Sequence, residues 1–165
     1  MKALLVLAPL ALFAGLFILL KFREAPLYTV SVDQLPSVIA KLYGLAAGKH
    51  GTWVMFFFTP PGTSSQQEEV NLQYSVENGV VGLDWVLLGE RNIADGDKVG
   101  SFIREKGFVL LTAQENKVRY LRVEGNGIQQ LGVSIVTELY GLASSAPLRF
   151  YTEGFAWSDN SVERV

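Results

Sequence analysis

The residues of this chain that could do chemistry are its carboxylates and a single histidine, His50. There is no cysteine, so a thiol nucleophile, a disulfide and a Cys/His zinc site are excluded. Asp84 and Glu153 could act as a pair of acids if the fold brought them together, and burial would raise the pKa of Asp84. We expect a water-exposed Asp84 and a solvated His50 instead. The sequence therefore predicts no catalytic residue and no metal ligand.

One glycine-rich stretch has features of a dinucleotide-binding turn. Residues 125–132 read GNGIQQLG, after a predicted strand and before a predicted helix. The third glycine comes five positions after the second, where the fingerprint requires three. The preceding strand carries Arg122 and Glu124, whereas a central parallel strand is apolar on both faces. The pattern favours a capped helix start, with Asn126 as the cap and Gln129 at the third helical position, and we predict no cofactor.

The charge balance argues against nucleic acid as a partner. The 165 residues include 14 Lys and Arg against 16 Asp and Glu, which gives a formal net charge of −2 at pH 7. Proteins that bind nucleic acid normally carry a basic surface that neutralises phosphates. We therefore expect no nucleic-acid partner.

Residues 3–20 form a continuous uncharged, mainly apolar segment, with Lys21 and Arg23 just after it. Eighteen residues of helix reach about 27 Å, near the lower limit for crossing the hydrocarbon layer of a bilayer. A cleaved signal peptide is the alternative, but small residues at a processing site are missing after the apolar run. We predict an uncleaved single-pass anchor with a basic flank in residues 1–23, whose partner is the lipid bilayer through residues 3–20.

The remaining chain is expected to be a linker at 24–26, one domain at 27–157 and a tail at 158–165. Lysine and arginine are more numerous after the apolar segment than before it. By the positive-inside rule, this distribution favours a membrane protein whose soluble domain is cytoplasmic.

Apolar periodicity predicts an α+β domain with a mostly antiparallel sheet and three helices on one face. Asp33, Asp95 and Asn126 are the predicted helix caps, and Asn78 with Gly79 predicts a hairpin turn. Residues 80–157 read βαββαβ, the ferredoxin-like order, preceded by βαββ. Strands are predicted at residues 27–32, 51–58, 70–76, 80–88, 108–113, 118–124 and 148–157, and helices at 33–45, 95–107 and 127–140.

The strand at residues 51–58 is apolar on both faces, although helices are expected to cover only one face of the sheet. Surplus apolar surface of this kind is typical of an interface with another molecule. The alternative is that the loop at 59–69 or the N-terminal strand folds over it. The predicted interface residues are Phe56, Phe58, Val86, Leu111 and Tyr151.

These observations favour a membrane-anchored, non-enzymatic interaction module that associates with a second copy or with a protein partner through the open face of its sheet. Two alternatives stay open. One is a small-molecule sensor with its ligand between the sheet and the loop at 59–69. The other is a hydrolase that uses carboxylates such as Asp84 or Glu153.

Overall fold

The structure is a computed structural model that describes residues 27–45, 51–63, 68–155, 157 and 163–164. The predicted anchor at 1–23, the linker at 24–26, His50 and most of the predicted tail lie outside the described residues. Within the described part of the chain, every helix is too short or too polar to cross a bilayer. The anchor therefore stays a prediction from sequence.

A single antiparallel sheet of seven strands, extended at one edge by a two-residue strand, is the centre of the described fold. All of its neighbouring strands pair antiparallel. The order across the sheet is β5-β6-β4-β3-β2-β7-β1-β8. The strands are β1 Tyr28–Ser31, β2 Trp53–Phe58, β3 Val70–Glu77, β4 Val80–Val86, β5 Leu111–Glu115, β6 Val118–Glu124, β7 Pro147–Glu153 and β8 Glu163–Arg164.

Four helices accompany the sheet in the described residues, one more than predicted. They are α1 Leu35–Leu45, α2 Glu90–Ala94, α3 Gly96–Glu105 and α4 Ile128–Ser134, which continues as a π-helical turn over Ile135–Leu139. The buried apolar residues of α1, α3 and α4 join those of the strands in one hydrophobic cluster. The predicted α+β class with a mostly antiparallel sheet is confirmed.

The ferredoxin-like part of the prediction is wrong. In that arrangement all neighbouring strands pair antiparallel in the order β5-β6-β4-β7, so β7 would lie beside β4. The antiparallel order β5-β6-β4 is present, but β7 lies between β2 and β1. The βαββαβ order exists along the chain, but β3 takes the place beside β4 that the simpler fold would leave to β7, and β2 lies between β3 and β7.

Local turn and cap signals give a mixed outcome. Asn78 and Gly79 both have positive φ, 51° and 79°, as the predicted two-residue hairpin turn requires. Asp33 is not the first cap, because Ser31 precedes the short 3-10 turn before α1, and the backbone N–H of Ser31 donates to Gln34 Oε1 at 3.0 Å. Gly127 rather than Asn126 precedes α4, with a φ of 86°.

The two faces of β2 are the reverse of those predicted: the residues expected on the open face lie on the helix-covered face. Val54, Phe56 and Phe58 are buried in the hydrophobic cluster on the face that the helices cover. The prediction that Phe56 and Phe58 lie on the open face is therefore wrong, and Trp53 and Phe57 take that side. In β3 the predicted inward positions are all buried, and these are Val70, Leu72, Tyr74 and Val76.

Replacing the two neighbouring phenylalanines of β2 one at a time tests this assignment. Phe56 is 0% exposed, and its ring centroid lies 5.6 Å from that of Phe150. We expect Phe56→Ala to lower the free energy of unfolding by about 3–5 kcal/mol, since it leaves a cavity in the core. Phe57→Ala should cost less than half as much, since Phe57 is only partly buried. Urea unfolding of the full chain measures both, and equal losses would contradict the assignment.

Candidate functional site

The face of the sheet that the described helices leave open forms a groove of about 880 Å³. The end of the β5–β6 hairpin lines this groove together with Trp53 of β2, although β5 and β2 are four places apart in the sheet. The sheet must therefore curl around the groove. Its lining residues are Gly51, Trp53, Met55, Phe57, Glu69, Asn71, Gln73, Ser75, Val76, Glu77, Asn78, Val86, Leu88, Gly89, Gln114, Glu115, Asn116, Val118 and Tyr120.

Three of the five predicted interface residues lie on this open face. Val86 lines the groove, and Leu111 lies opposite Arg122 at the β5 edge of the sheet. Tyr151 has its ring centroid 5.2 Å from that of Trp53 and donates its hydroxyl to Glu153. Phe56 and Phe58 are on the other face, so the five residues do not form one surface.

A buried ion pair lies under the open face. Arg122 Nη1 of β6 donates to Asp84 Oδ1 of β4 at 2.7 Å and to Ser75 Oγ of β3 at 2.9 Å. Ser75 in turn donates its hydroxyl to Asp84 Oδ2 at 2.5 Å. Asp84 is fully buried and Arg122 almost so, which makes the expected exposed Asp84 wrong. Hydrogen bonds among these three side chains link the neighbouring strands β3, β4 and β6 on the face opposite the helices.

Two further carboxylates surround the same guanidinium. Arg122 Nε donates to Glu124 Oε1 at 2.7 Å, and Glu77 Oε1 lies 3.3 Å from Nη1. Glu77 also accepts the hydroxyl of Tyr120 at 2.8 Å. One cation thus faces three carboxylates, so the cluster has excess negative charge when all of them are ionised.

Gly82 makes room for this guanidinium. It lies on the open face beside Arg122, and a methyl group at Gly82 would come within 2.3 Å of Arg122 Cζ. Any side chain at this position would therefore displace the arginine from the carboxylates.

The burial of Asp84 changes its acidity. Loss of water contact raises the pKa of this carboxyl to about 6, against the opposing effects of the Arg122 charge and of the hydrogen bonds from Ser75 and Arg122. Burial and the hydrogen bond to Glu77 likewise raise the pKa of Tyr120 to about 12. A buried carboxyl that titrates near pH 6 is a feature found at functional sites and in structural ion pairs alike.

The geometry does not favour Asp84 and Glu153 as a pair of catalytic acids. They belong to β4 and β7, which are three strand spacings apart, or about 14 Å along the sheet. Carboxylate pairs that cleave glycosidic bonds are about 5–9.5 Å apart. In the described residues, no group of three or more His, Asp or Glu side chains is placed to hold a metal ion.

The glycine-rich turn at residues 125–132 also has a structural explanation. It follows β6, which pairs antiparallel with both β4 and β5, whereas a dinucleotide-binding turn follows a parallel strand. Gly127, in the left-handed conformation, begins α4. The interpretation of this stretch as a turn into a helix agrees with this geometry, although the cap differs from the predicted one.

The charged residues that line the groove are all acidic. They are Glu69, Glu77 and Glu115, and no lysine or arginine is among the lining residues. Arg149 forms an ion pair with Glu69, and Arg122 contacts Glu77 from below the groove floor. The groove therefore combines aromatic and aliphatic side chains with carboxylates, a composition suited to a ligand that is both apolar and positively charged.

Comparison of the chain with protein families, with curated proteins and with solved structures finds no match.

Gly82→Ala tests whether the guanidinium needs the space above this glycine. The added methyl group should displace Arg122 and leave Asp84 buried without its cation, at a cost of about 3–5 kcal/mol in the free energy of unfolding. Gly44→Ala is the control, because Gly44 lies in α1 with nothing within 4 Å of its missing side chain. That variant should be neutral or more stable by up to about 1 kcal/mol. Chemical denaturation measures both, and equal effects would refute the explanation.

Asp84 should also give the stability of the protein a recognisable pH dependence. Its pKa is raised in the folded chain from 3.8 to about 6, so the folded state holds this proton more tightly than the unfolded state. Stability from this group is therefore greatest below about pH 4 and is lost as the pH rises through 6.

We expect the difference in unfolding free energy between the parent and Asp84→Asn to shift against the parent by up to about 3 kcal/mol from pH 4 to pH 7. Taking this difference cancels the titration of groups common to both chains. Urea unfolding at several pH values measures it, and a difference that stays constant or moves in favour of the parent would disprove the shift.

Proposed function

We propose that this chain is a non-enzymatic interaction module, anchored in a membrane by residues 3–20, whose groove binds an extended, positively charged segment of a partner protein. The observation that carries the proposal is the groove itself, a single concavity lined by mainly half-buried or buried aromatic and aliphatic side chains together with three carboxylates. The membrane attachment rests on the sequence of residues 3–20 alone.

The length of the groove supports a polypeptide as the occupant. The lining follows β3 from Glu69 to Asn78, nine residue steps along an extended strand. At about 3.3 Å per residue this is about 30 Å, enough for eight or nine residues of extended chain. A typical small molecule would occupy only part of that length.

The electrostatics support a cationic segment. Glu115 lies at the β5–β6 hairpin and forms no ion pair within the described part of the chain. Glu77 shares the single Arg122 charge with Asp84 and Glu124. A lysine or arginine of a partner would be attracted to this end of the groove, whereas an acidic segment would be repelled.

The apolar lining supplies the contact area. Trp53 and Phe57 come from β2, Val86 and Leu88 from β4 and the residues that follow it, and Val118 from β6. Large aromatic side chains of this kind often contribute most of the binding energy at protein interfaces. The side chains of an extended segment that point to the sheet would contact them at every second residue.

A second candidate function, a small-molecule sensor, is favoured by a different cavity. A concavity of about 590 Å³ lies between the sheet and the start of the loop at 59–69, where the sequence suggested a ligand. Thr59, Pro61 and the Glu69–Arg149 ion pair border it. Its volume is in the range typical of small-molecule sites. A metabolite that raises the melting temperature of the chain, and no longer does so in Arg149→Ala, would support this alternative.

Two labelled eight-residue peptides, one alternating arginine with valine and the other glutamate with valine, test the groove. We expect the full chain in detergent micelles to bind the arginine peptide at least about tenfold more tightly than the glutamate peptide, less so at high salt. Trp53→Ala and Glu115→Gln should each weaken binding by about threefold to thirtyfold. Fluorescence anisotropy measures all of these affinities.

The matched controls are Tyr43→Ala and Glu105→Gln. Tyr43 is an exposed aromatic residue on α1 and Glu105 an exposed carboxylate on α3, and neither lines the groove. Both controls should bind like the parent. Equal binding of the two peptides, or unchanged binding by Trp53→Ala, would disprove the proposed occupant.

A further inference from the structure

The two edges of the sheet differ in how they end. On one side, the two-residue strand β8 pairs with β1. On the other side, β5 pairs with β6 through one edge, and no strand in the described residues pairs with its other edge. The outer backbone N–H and C=O groups of β5 are therefore available to a further strand.

The sequence of this edge lacks the features that usually prevent strand pairing. Residues 109–115 contain no proline and no lysine, and Glu115 is their one charged residue. Val109 is 76% exposed and Leu111 is 48% exposed. Val109 is thus the most exposed of the large apolar side chains in the described chain, and it lies two residues before the start of β5.

We propose that the β5 edges of two copies of this chain pair antiparallel about a twofold axis, so that the two sheets become one. In such a pair, residues directly opposite each other point to the same face. Registers centred on Leu111, Thr112 or Ala113 place Glu115 opposite Gly107, Val109 or Leu111 respectively. The single charge of the edge is therefore never opposite its own copy in these registers, and exposed apolar side chains gain cross-strand neighbours.

A second copy is the occupant we infer because every copy presents the same unpaired edge with exposed Val109 and Leu111, and because these registers keep the two Glu115 carboxylates from lying opposite each other. The register centred on Ala113 pairs all five residues of β5 and the other two registers pair fewer, so each interface is smaller than the interface of about 800 Å² per partner that stable complexes bury. The dimer is therefore weak and depends on concentration. Pairing uses the outer backbone groups of β5, so it can be tested separately from the groove proposal, although Gln114 and Glu115 of this strand also line the groove.

The absence of cysteine in the chain allows a direct test by single-cysteine variants. Leu111→Cys, Thr112→Cys and Ala113→Cys each place one thiol at a candidate twofold centre, and Ser101→Cys on the exposed surface of α3 is the control. Under mild oxidation of the full chain in detergent micelles, we expect one β5 variant to give disulfide-linked dimer at least about tenfold faster than Ser101→Cys. Equal rates for all four variants would overturn the proposal.

Matched lysine variants test the same edge without a cross-link. Leu111→Lys adds a charge to the β5 edge, and Ile93→Lys adds one at α2, where the isoleucine is 61% exposed. Sedimentation of the full chain should show that Leu111→Lys weakens dimerisation by at least about tenfold while Ile93→Lys dimerises like the parent. If both variants dimerise equally, association does not use this edge and the proposal is wrong. Far-UV circular dichroism checks that both are folded.

Discussion

The guanidinium of Arg122 constrains the open side of this fold. Arginine keeps its charge in proteins, so a buried arginine requires acceptors on every side that water cannot reach. Here the acceptors come from three strands, as the Asp84 carboxylate, the Ser75 hydroxyl and the Glu124 carboxylate. Gly82 supplies the space, because it has no side chain. The cluster fixes the relative positions of β3, β4 and β6 on the face of the sheet that the described helices leave open.

Sequence periodicity predicted most elements and the class of the fold, but its success depended on how informative each strand is. The clean alternation of β3 identified its buried face, since Val70, Leu72, Tyr74 and Val76 are separated by polar residues. In β2 both faces are apolar, so the alternation does not show which face is covered by the helices. The prediction chose the wrong face. What decides is the register with β3, in which Phe56 lies opposite Leu72 and so shares its face.

For a similar reason, periodicity could predict neither the strand pairing nor the buried cluster. The order of elements from β4 to β7 does not show whether β7 lies beside β4 or is separated from it by β3 and β2, so it could not exclude the ferredoxin-like arrangement. Asp84 and Arg122 are 38 positions apart, and nothing local connects them. A charged residue in mid-strand was the one available signal, and at Arg122 it indicated only that the strand is not buried on both faces.

The cluster also limits what could occupy the groove above it. Glu77 and Glu124 are partly exposed, so water now stabilises the excess negative charge around Arg122. A partner that lies on the groove removes some of this water, and an apolar partner alone would leave carboxylates buried without compensation. In the proposed mode of binding, a cation of the partner would offset this loss of water. The acidic end of the groove would then disfavour neutral or acidic segments and favour a basic one, which would link the specificity of the groove to Arg122 beneath it.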